Sequence, residues 1–225
     1  ARHDRSVEPL LSVWESHHLR VSVAVKKSKR GASSVEKNIG WRILNPTSEE
    51  LQASIDSNLH PHGCSERSQP FCFLPFRHPV NHEDRRVSGP LWTGPLASKE
   101  VLSSMNLEVA EKLCIPDTES LTSWGFPSDE HSALIEQSKK SITRSIRRFS
   151  EESKVEPSSS LLIVDRLHPH IPLLGPPSPT KLAEALTESG YSSCVASYPN
   201  PSILTSAPWN IIYDIALEIS SASIE

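Results

Sequence analysis

The sequence predicts an α+β chain with long irregular connections. Three observations carry that reading. Short runs alternate apolar and polar residues with the period of half-buried strands. Other segments repeat apolar residues at helical spacing. Nineteen prolines among 225 residues, with many serines, break the chain between these runs.

The totals set bounds. A chain of 225 residues accommodates one large domain or two small ones. Apolar residues make up 36%, enough for a core but lean. Net charge is −4, so any surface for a polyanion has to be a local patch. Cys64, Cys72, Cys114 and Cys194 are widely spaced and form no CxxC, which fits free thiols in a reducing compartment. No apolar run is long enough to predict a membrane span. The opening ARHDRSVEPLLS has neither Met nor a hydrophobic signal region, and reads as the start of an excised portion of a longer protein.

Taken in order, Val7–Val13 and Leu19–Val25 predict two strands. In the second, Leu19, Val21, Val23 and Val25 alternate with Arg20, Ser22, Ala24 and Lys26. The Glu15–His18 stretch is a polar turn, and Lys26–Ser34 a basic, flexible loop. Gly40–Leu44 predicts a short strand, and residues 45–87 mostly loop. In SGPLWTGPL, residues 88–96, each proline fixes φ and removes a donor, so the segment is stiff and suits neither a helix nor a central strand. Ser98–Leu113 predicts one helix with Ser98 as its N-cap, stopped by Pro116. A second helix runs from a cap at Ser128 or Asp129 to about Phe149, with Ile135, Ile142, Ile146 and Phe149 on one side. Glu151–Ser160 reads as a linker. Leu161–Val164 predicts a strand and Pro176–Gly190 a helix stopped by Gly190. Tyr191–Tyr198 predicts a strand, and a final helix opens near Pro208.

No GxGxxG, P-loop, GxSxG or HExxH is present, so no cofactor cradle or catalytic motif is assigned. His60, His62, Cys64 and Cys72 have poor zinc spacing, and a surface loop is the favoured reading, with no metal. Lys140, Arg144, Arg147 and Arg148 share one face of the 129–149 helix. They could neutralise phosphates or form an ordinary solvated face. Lys26, Lys27, Lys29 and Arg30 make a second basic group, equally open to a solvated-loop reading. Trp14, Trp41, Trp92, Trp124 and Trp209 are expected to anchor packing rather than stack bases.

Three stretches together resemble one family. VEPLLSVWESHHLRVSVAV, residues 7–25, is similar to the strand pair that closes the catalytic domain of tRNA (guanine(26)-N(2))-dimethyltransferases, with Arg20 matching an arginine of that pattern. GPLWTGPL resembles the family's Gly-Pro-Leu-Trp-x-Gly-Pro-Leu element. The stretch from Pro176 to Tyr213 and on to Asp214 resembles a third, with Gly190, Tyr191, Thr205, Ala207, Pro208 and Asp214 in place.

The resemblance implies an S-adenosyl-L-methionine-dependent enzyme that dimethylates a guanine N2 in tRNA, acting inside the cell in the nucleus or an organelle. Its partner is tRNA, with no membrane and no DNA. Residues 1–45 would be the end of a Rossmann-like methyltransferase domain, its terminal β-hairpin. Residues 46–97 would be an irregular connection, and residues 98–225 a family-specific α+β domain that binds tRNA. The cofactor and catalytic loops would lie upstream, and the basic residues Arg20, Lys26, Lys27, Lys29, Arg30, Lys140, Arg144, Arg147 and Arg148 would contact RNA. Gly190 and Pro208 have structural roles. Trp92 would be a buried anchor in a strap between domains, whose removal is expected to cost roughly 3–5 kcal/mol.

The sequence also departs from the family's pattern. Cys194, Val195, Ala196 and Ser197 stand where Ser-Arg-Thr-His is usual. Leu204, Thr205 and Ser206 replace Lys-Thr-Asp, Ala97 and Ser98 replace His-Asp, and a CxxC pair is reduced to Cys64. These changes imply a kept framework with weakened or rerouted RNA contacts. The alternative they leave open is a catalytically silent paralogue serving as an RNA-binding or protein-interaction module.

Overall fold

The alternating runs at the start of the chain pair with each other. The computed structural model describes residues 4–15, 18–59, 69–156, 160–167, 170–173, 175–196, 198 and 201–222. Strands β1 (Arg5–Glu15) and β2 (His18–Lys27) form an antiparallel hairpin, with a bulge where the register skips Leu10. The bulge frees the Leu10 carbonyl, which accepts from the Ser98 amide at 3.0 Å, while the Ser12 hydroxyl donates to the Leu96 carbonyl at 2.7 Å. The hairpin is thereby tied to the chain that follows the second Gly-Pro-Leu.

The basic segment is not a flexible loop. It folds as α1 (Lys29–Lys37), because the Ser28 hydroxyl accepts from the Gly31 amide at 3.0 Å and caps the helix, and Ala32 is buried beneath it. β3 (Ile39–Leu44) follows as the sequence predicts. The 45–87 region holds two elements that weak periodicity concealed, α2 (Ser48–Asp56) and β4 (Phe71–Pro75). A capping box starts α2: the Thr47 amide donates to Glu50 Oε2 at 2.7 Å, and the Glu50 amide donates to Thr47 Oγ1 at 3.3 Å.

The Gly-Pro-Leu segment is a strand at the edge of a sheet. β5 (Val87–Trp92) pairs antiparallel with β3, which is central in the order β4-β3-β5. An edge is where a proline's missing donor does least harm. At Gly89, φ is +144°, and a Cβ would come within 2.9 Å of the Trp41 ring, so only glycine fits. Trp92 is half-buried rather than a buried anchor, and its Nε1 donates to the Pro95 carbonyl at 2.9 Å.

The 98–113 helix divides into α3 (Lys99–Ser104) and α4 (Leu107–Cys114). Ser98 caps the first as expected, but the Asn106 side chain accepts from the Val109 amide at 3.2 Å and begins a second helix. Asp117 caps the short α5 (Thr118–Ser123), which the sequence reading missed. The long α6 (His131–Glu152) begins two residues later than expected, and neither Ser128 nor Asp129 caps it. Ile135, Ile142 and Ile146 are half-buried and Phe149 is buried, on the inner side. The stretch after it is not a free linker, since Ser153 and Val155 are buried.

The last part builds a second antiparallel sheet of three strands, β6 (Ser160–Ile163), β7 (Ser193–Val195) and β8 (Ser202–Thr205), in the order β6-β8-β7. The 191–198 strand is shorter than expected, and β8 was not anticipated. A 3-10 turn, Val164–Arg166, follows β6. α7 (Pro179–Glu188) ends in a Schellman motif: the Tyr191 amide donates to the Leu186 carbonyl at 3.0 Å and the Gly190 amide to Thr187 at 2.9 Å, with Gly190 at φ +88°. α8 (Trp209–Ala222) opens at Pro208, whose carbonyl accepts from the Ile212 amide at 3.1 Å.

Two apolar clusters lie on opposite faces of the middle sheet. Trp41, Ile43, Cys72 and Leu74 point one way and pack with Leu51 and Ala53 of α2. Phe71, with Leu44 and Phe73 beside it, faces the larger cluster formed by β6, β8, α7 and α8. Trp209 is its centre, stacked on Tyr213 at 5.5 Å and edge-on to Phe71 at 5.8 Å.

Candidate nucleic-acid interface

The two predicted basic groups sit on separate elements. Lys27 ends β2, and Lys29 and Arg30 lie exposed in the first turn of α1. That turn holds no acidic residue, so the helix N-terminus and two cations add their fields there. Lys26 lies 3.7 Å from Glu8, and both are largely exposed, so the pair contributes little. Arg20 is exposed on β2 opposite Val13.

The face of α6 is less cationic than its spacing predicts. Lys140 lies 3.5 Å from Glu136, and the Arg147 Nε donates to Glu151 Oε1 at 3.0 Å, each one turn away. Arg148 is half-buried. Arg144 is exposed and has no ion pair among the described residues. α1 packs chiefly on β1, and α6 on α3, α4 and β7, so the two groups lie on elements with different main packing partners.

Residues that sequence reasoning passed over join Trp92 between the layers. A cavity of about 1,000 Å³ opens between the hairpin, the middle sheet and β6, and Trp92, Phe73, Tyr198, Arg42 and Arg166 all line it. Arg42 projects from the central strand on the same side as Phe71, with its guanidinium carbon 4.9 Å from that ring's centroid. Burial, and then the charge of Arg166, pull the Arg42 pKa below its ordinary value. The signal was present in GWRIL, an arginine inside an apolar run, but the strand period assigns it only to a face.

Arg86 has a different role. Its guanidinium donates to both Glu50 oxygens, at 3.0 and 3.2 Å, and to Asp84 Oδ2 at 2.8 Å, binding β5 to α2. Hydrogen bonds to those two carboxylates raise its pKa further.

His60, His62 and Cys64 lie outside the described residues. Cys72 is buried on β4, and burial, then the charge of Glu50, push its thiol up to about 12. Cys194 is likewise pushed up to about 12 by burial, then by Glu152 and Glu151. Cys114 is exposed at the end of α4. At pH 8 the two buried sulfurs are protonated and poor nucleophiles. Iodoacetamide is therefore expected to alkylate Cys114 in the native protein while Cys72 and Cys194 stay intact, as read by peptide mass mapping. Labelling of the buried pair at the Cys114 rate would contradict these environments.

These features define a mixed α and β protein of small antiparallel sheets with scattered basic surface. A family model described as N2,N2-dimethylguanosine tRNA methyltransferase matches residues 1–123, so the chain belongs to that family. The tRNA (guanine(26)-N(2))-dimethyltransferase of Methanocorpusculum labreanum is 30% identical over 115 residues, covering 49% of this chain and 26% of that protein. The enzyme of the same name from Aeropyrum pernix is 21% identical over 223 residues, covering 99% of this chain and 46% of that protein. The fold resembles the complex structure of Trm1 from Pyrococcus horikoshii with S-adenosyl-L-methionine. The TM-score is 0.59 at 16% identity, over 96% of this chain and 45% of that one. This chain thus spans less than half the length of these relatives.

Proposed function

We propose that this chain is the tRNA-holding portion of an S-adenosyl-L-methionine-dependent enzyme that methylates the exocyclic N2 of a guanine in tRNA. The family match across residues 1–123 carries the proposal. It takes in the hairpin, the basic helix α1 and the whole middle sheet.

The residues here do not fit the cofactor, because the sequence has no glycine-rich cradle. On this reading, cofactor and proton acceptor are held by the remaining length that the relatives have, and no chemical step is assigned to this chain. The hairpin supports that division. The β2 row Leu19, Val21, Val23 and Val25 is 43–60% exposed, as suits a hairpin face packed against the methyltransferase domain.

What falls to this chain is grip. A guanine within folded tRNA must leave its stack before transfer, at a cost of about a few kcal/mol. Contacts to phosphate and shape offset that cost. Besides Arg20 on the hairpin, Lys27, Lys29, Arg30 and Arg144 are the predicted exposed cations left for it, since Lys26, Lys140 and Arg147 have carboxylate neighbours.

Replacing those four by alanine in the full-length protein tests the reading. The expected result is weaker tRNA binding and a log–log salt slope shallower by roughly 0.7–0.9 per lost contact. In methyl transfer from labelled cofactor, KM for tRNA is expected to rise more than kcat falls. Unchanged affinity and slope would remove these residues from the grip.

A further inference from the structure

Arg42 and Arg166 are two cations that line one cavity. Arg42 leaves the central strand β3 toward the cavity and rests on the Phe71 ring. Arg166 ends the 3-10 turn after β6 and lines the same cavity. No ion pair involves either one among the described residues, and the charge that acts on Arg42 is the like charge of Arg166. Four carboxylates also line the cavity. Glu8 lies 3.7 Å from Lys26, Glu100 accepts from the Ser98 hydroxyl at 2.6 Å, and Glu152 and Glu156 each have an interaction of their own.

Two guanidinium groups that line one cavity repel each other, and an anion between them relieves the repulsion. The planar fork of arginine suits bidentate contact with phosphate. The Phe71 ring holds the Arg42 head in place, which lowers the entropy lost on binding. Aromatic Trp92 and Tyr198 line the same space, and the Trp92 N–H is already satisfied by Pro95. That leaves the indole's apolar surface for a nucleobase.

We propose that Arg42 and Arg166 form a phosphate clamp inside this cavity, and that its ligand is a backbone phosphate of the bound RNA. The choice of RNA rests on the function proposed above, whereas the clamp rests on the cavity alone.

The test uses Arg42→Gln, Arg166→Gln and the double variant of the full-length protein, with tRNA binding measured at several salt concentrations. Each single change is expected to weaken binding at least about tenfold and to lower the salt slope by about one. Thermal melting without ligand reports folding, and Tm is expected to hold or rise because a repulsion is removed. If the parent binds tRNA and the double variant binds it with the same affinity and slope, the clamp is overturned while the tRNA-holding reading stands. If the parent does not bind tRNA, that reading fails and RNA is excluded as the source. Pyrophosphate then decides the clamp by itself: a rise in the parent's Tm that the double variant lacks supports it, and equal shifts overturn it.

Discussion

Trp209→Ala is expected to lower the unfolding free energy by roughly 3–5 kcal/mol, the range for removing a large aromatic from a packed core. Trp209 is wholly buried, stacks on Tyr213 and meets Phe71 edge-on. It therefore joins α8 to the middle sheet as well as filling the larger cluster. Its removal opens a void that Leu162, Leu182, Ile203 and Ile212, all fully buried, cannot close without leaving their own rotamers. Urea denaturation of parent and variant measures the loss. A second variant, Trp209→Phe, is expected to keep much of the packing and lose less. A Trp209→Ala protein with an unchanged midpoint would show that the cluster is not what holds α8 in place.

Trp41→Ala is expected to cost a similar amount, roughly 3–5 kcal/mol, through the other face of the sheet. The ring is buried, its Nε1 donates to the Phe76 carbonyl at 3.0 Å, and it stacks on Phe76 and meets His82 edge-on. It also covers Gly89, where the backbone of β5 approaches the ring. Trp92→Ala is the comparator. Trp92 is only partly buried and belongs to neither core cluster, so the expected loss is smaller, about 1–2 kcal/mol from apolar burial. This revises the larger cost that the Gly-Pro-Leu pattern implied. Equal losses at positions 41 and 92 would restore Trp92 as an anchor and refute the ranking by burial. Because the two clusters lie back to back across β3, the double variant Trp41→Ala with Trp209→Ala also tests whether the middle sheet melts as one unit with the rest.

The legible parts of the fold were those with a local cause. The hairpin could be read because Leu19, Val21, Val23 and Val25 alternate strictly. α7 could be read because a proline opens it and Gly190 supplies the left-handed backbone of its Schellman end. The unread parts were held by distant partners. α2 carries the Thr47-x-x-Glu50 capping box as a local start signal, but the sheet that buries its Ser54 and half-buries its Leu51 has strands from residues 39–92, which residues 45–57 do not announce. The break between α3 and α4 depends on Asn106 capping a new helix in preference to continuing the old one, two outcomes of similar free energy locally.

The candidate interface divides in the same way. The cations were visible as residue types and as a helical face, but their freedom was not. Glu136 and Glu151 occupy Lys140 and Arg147 one turn away, a pairing that i,i+4 spacing allows but does not require. Arg42 and Arg166 lie 124 positions apart and meet because β3 and β6 border one cavity.

By itself the sequence determined the family's motifs, the period of each strand and helix, and which residues could carry positive charge, since these follow from side-chain chemistry and spacing along one segment. Only the tertiary structure decided which tryptophan is a core, which cation is free, and that two arginines line one cavity with no ion pair to either among the described residues. Burial and like-charge repulsion depend on what other segments bring alongside, and local spacing holds no record of that.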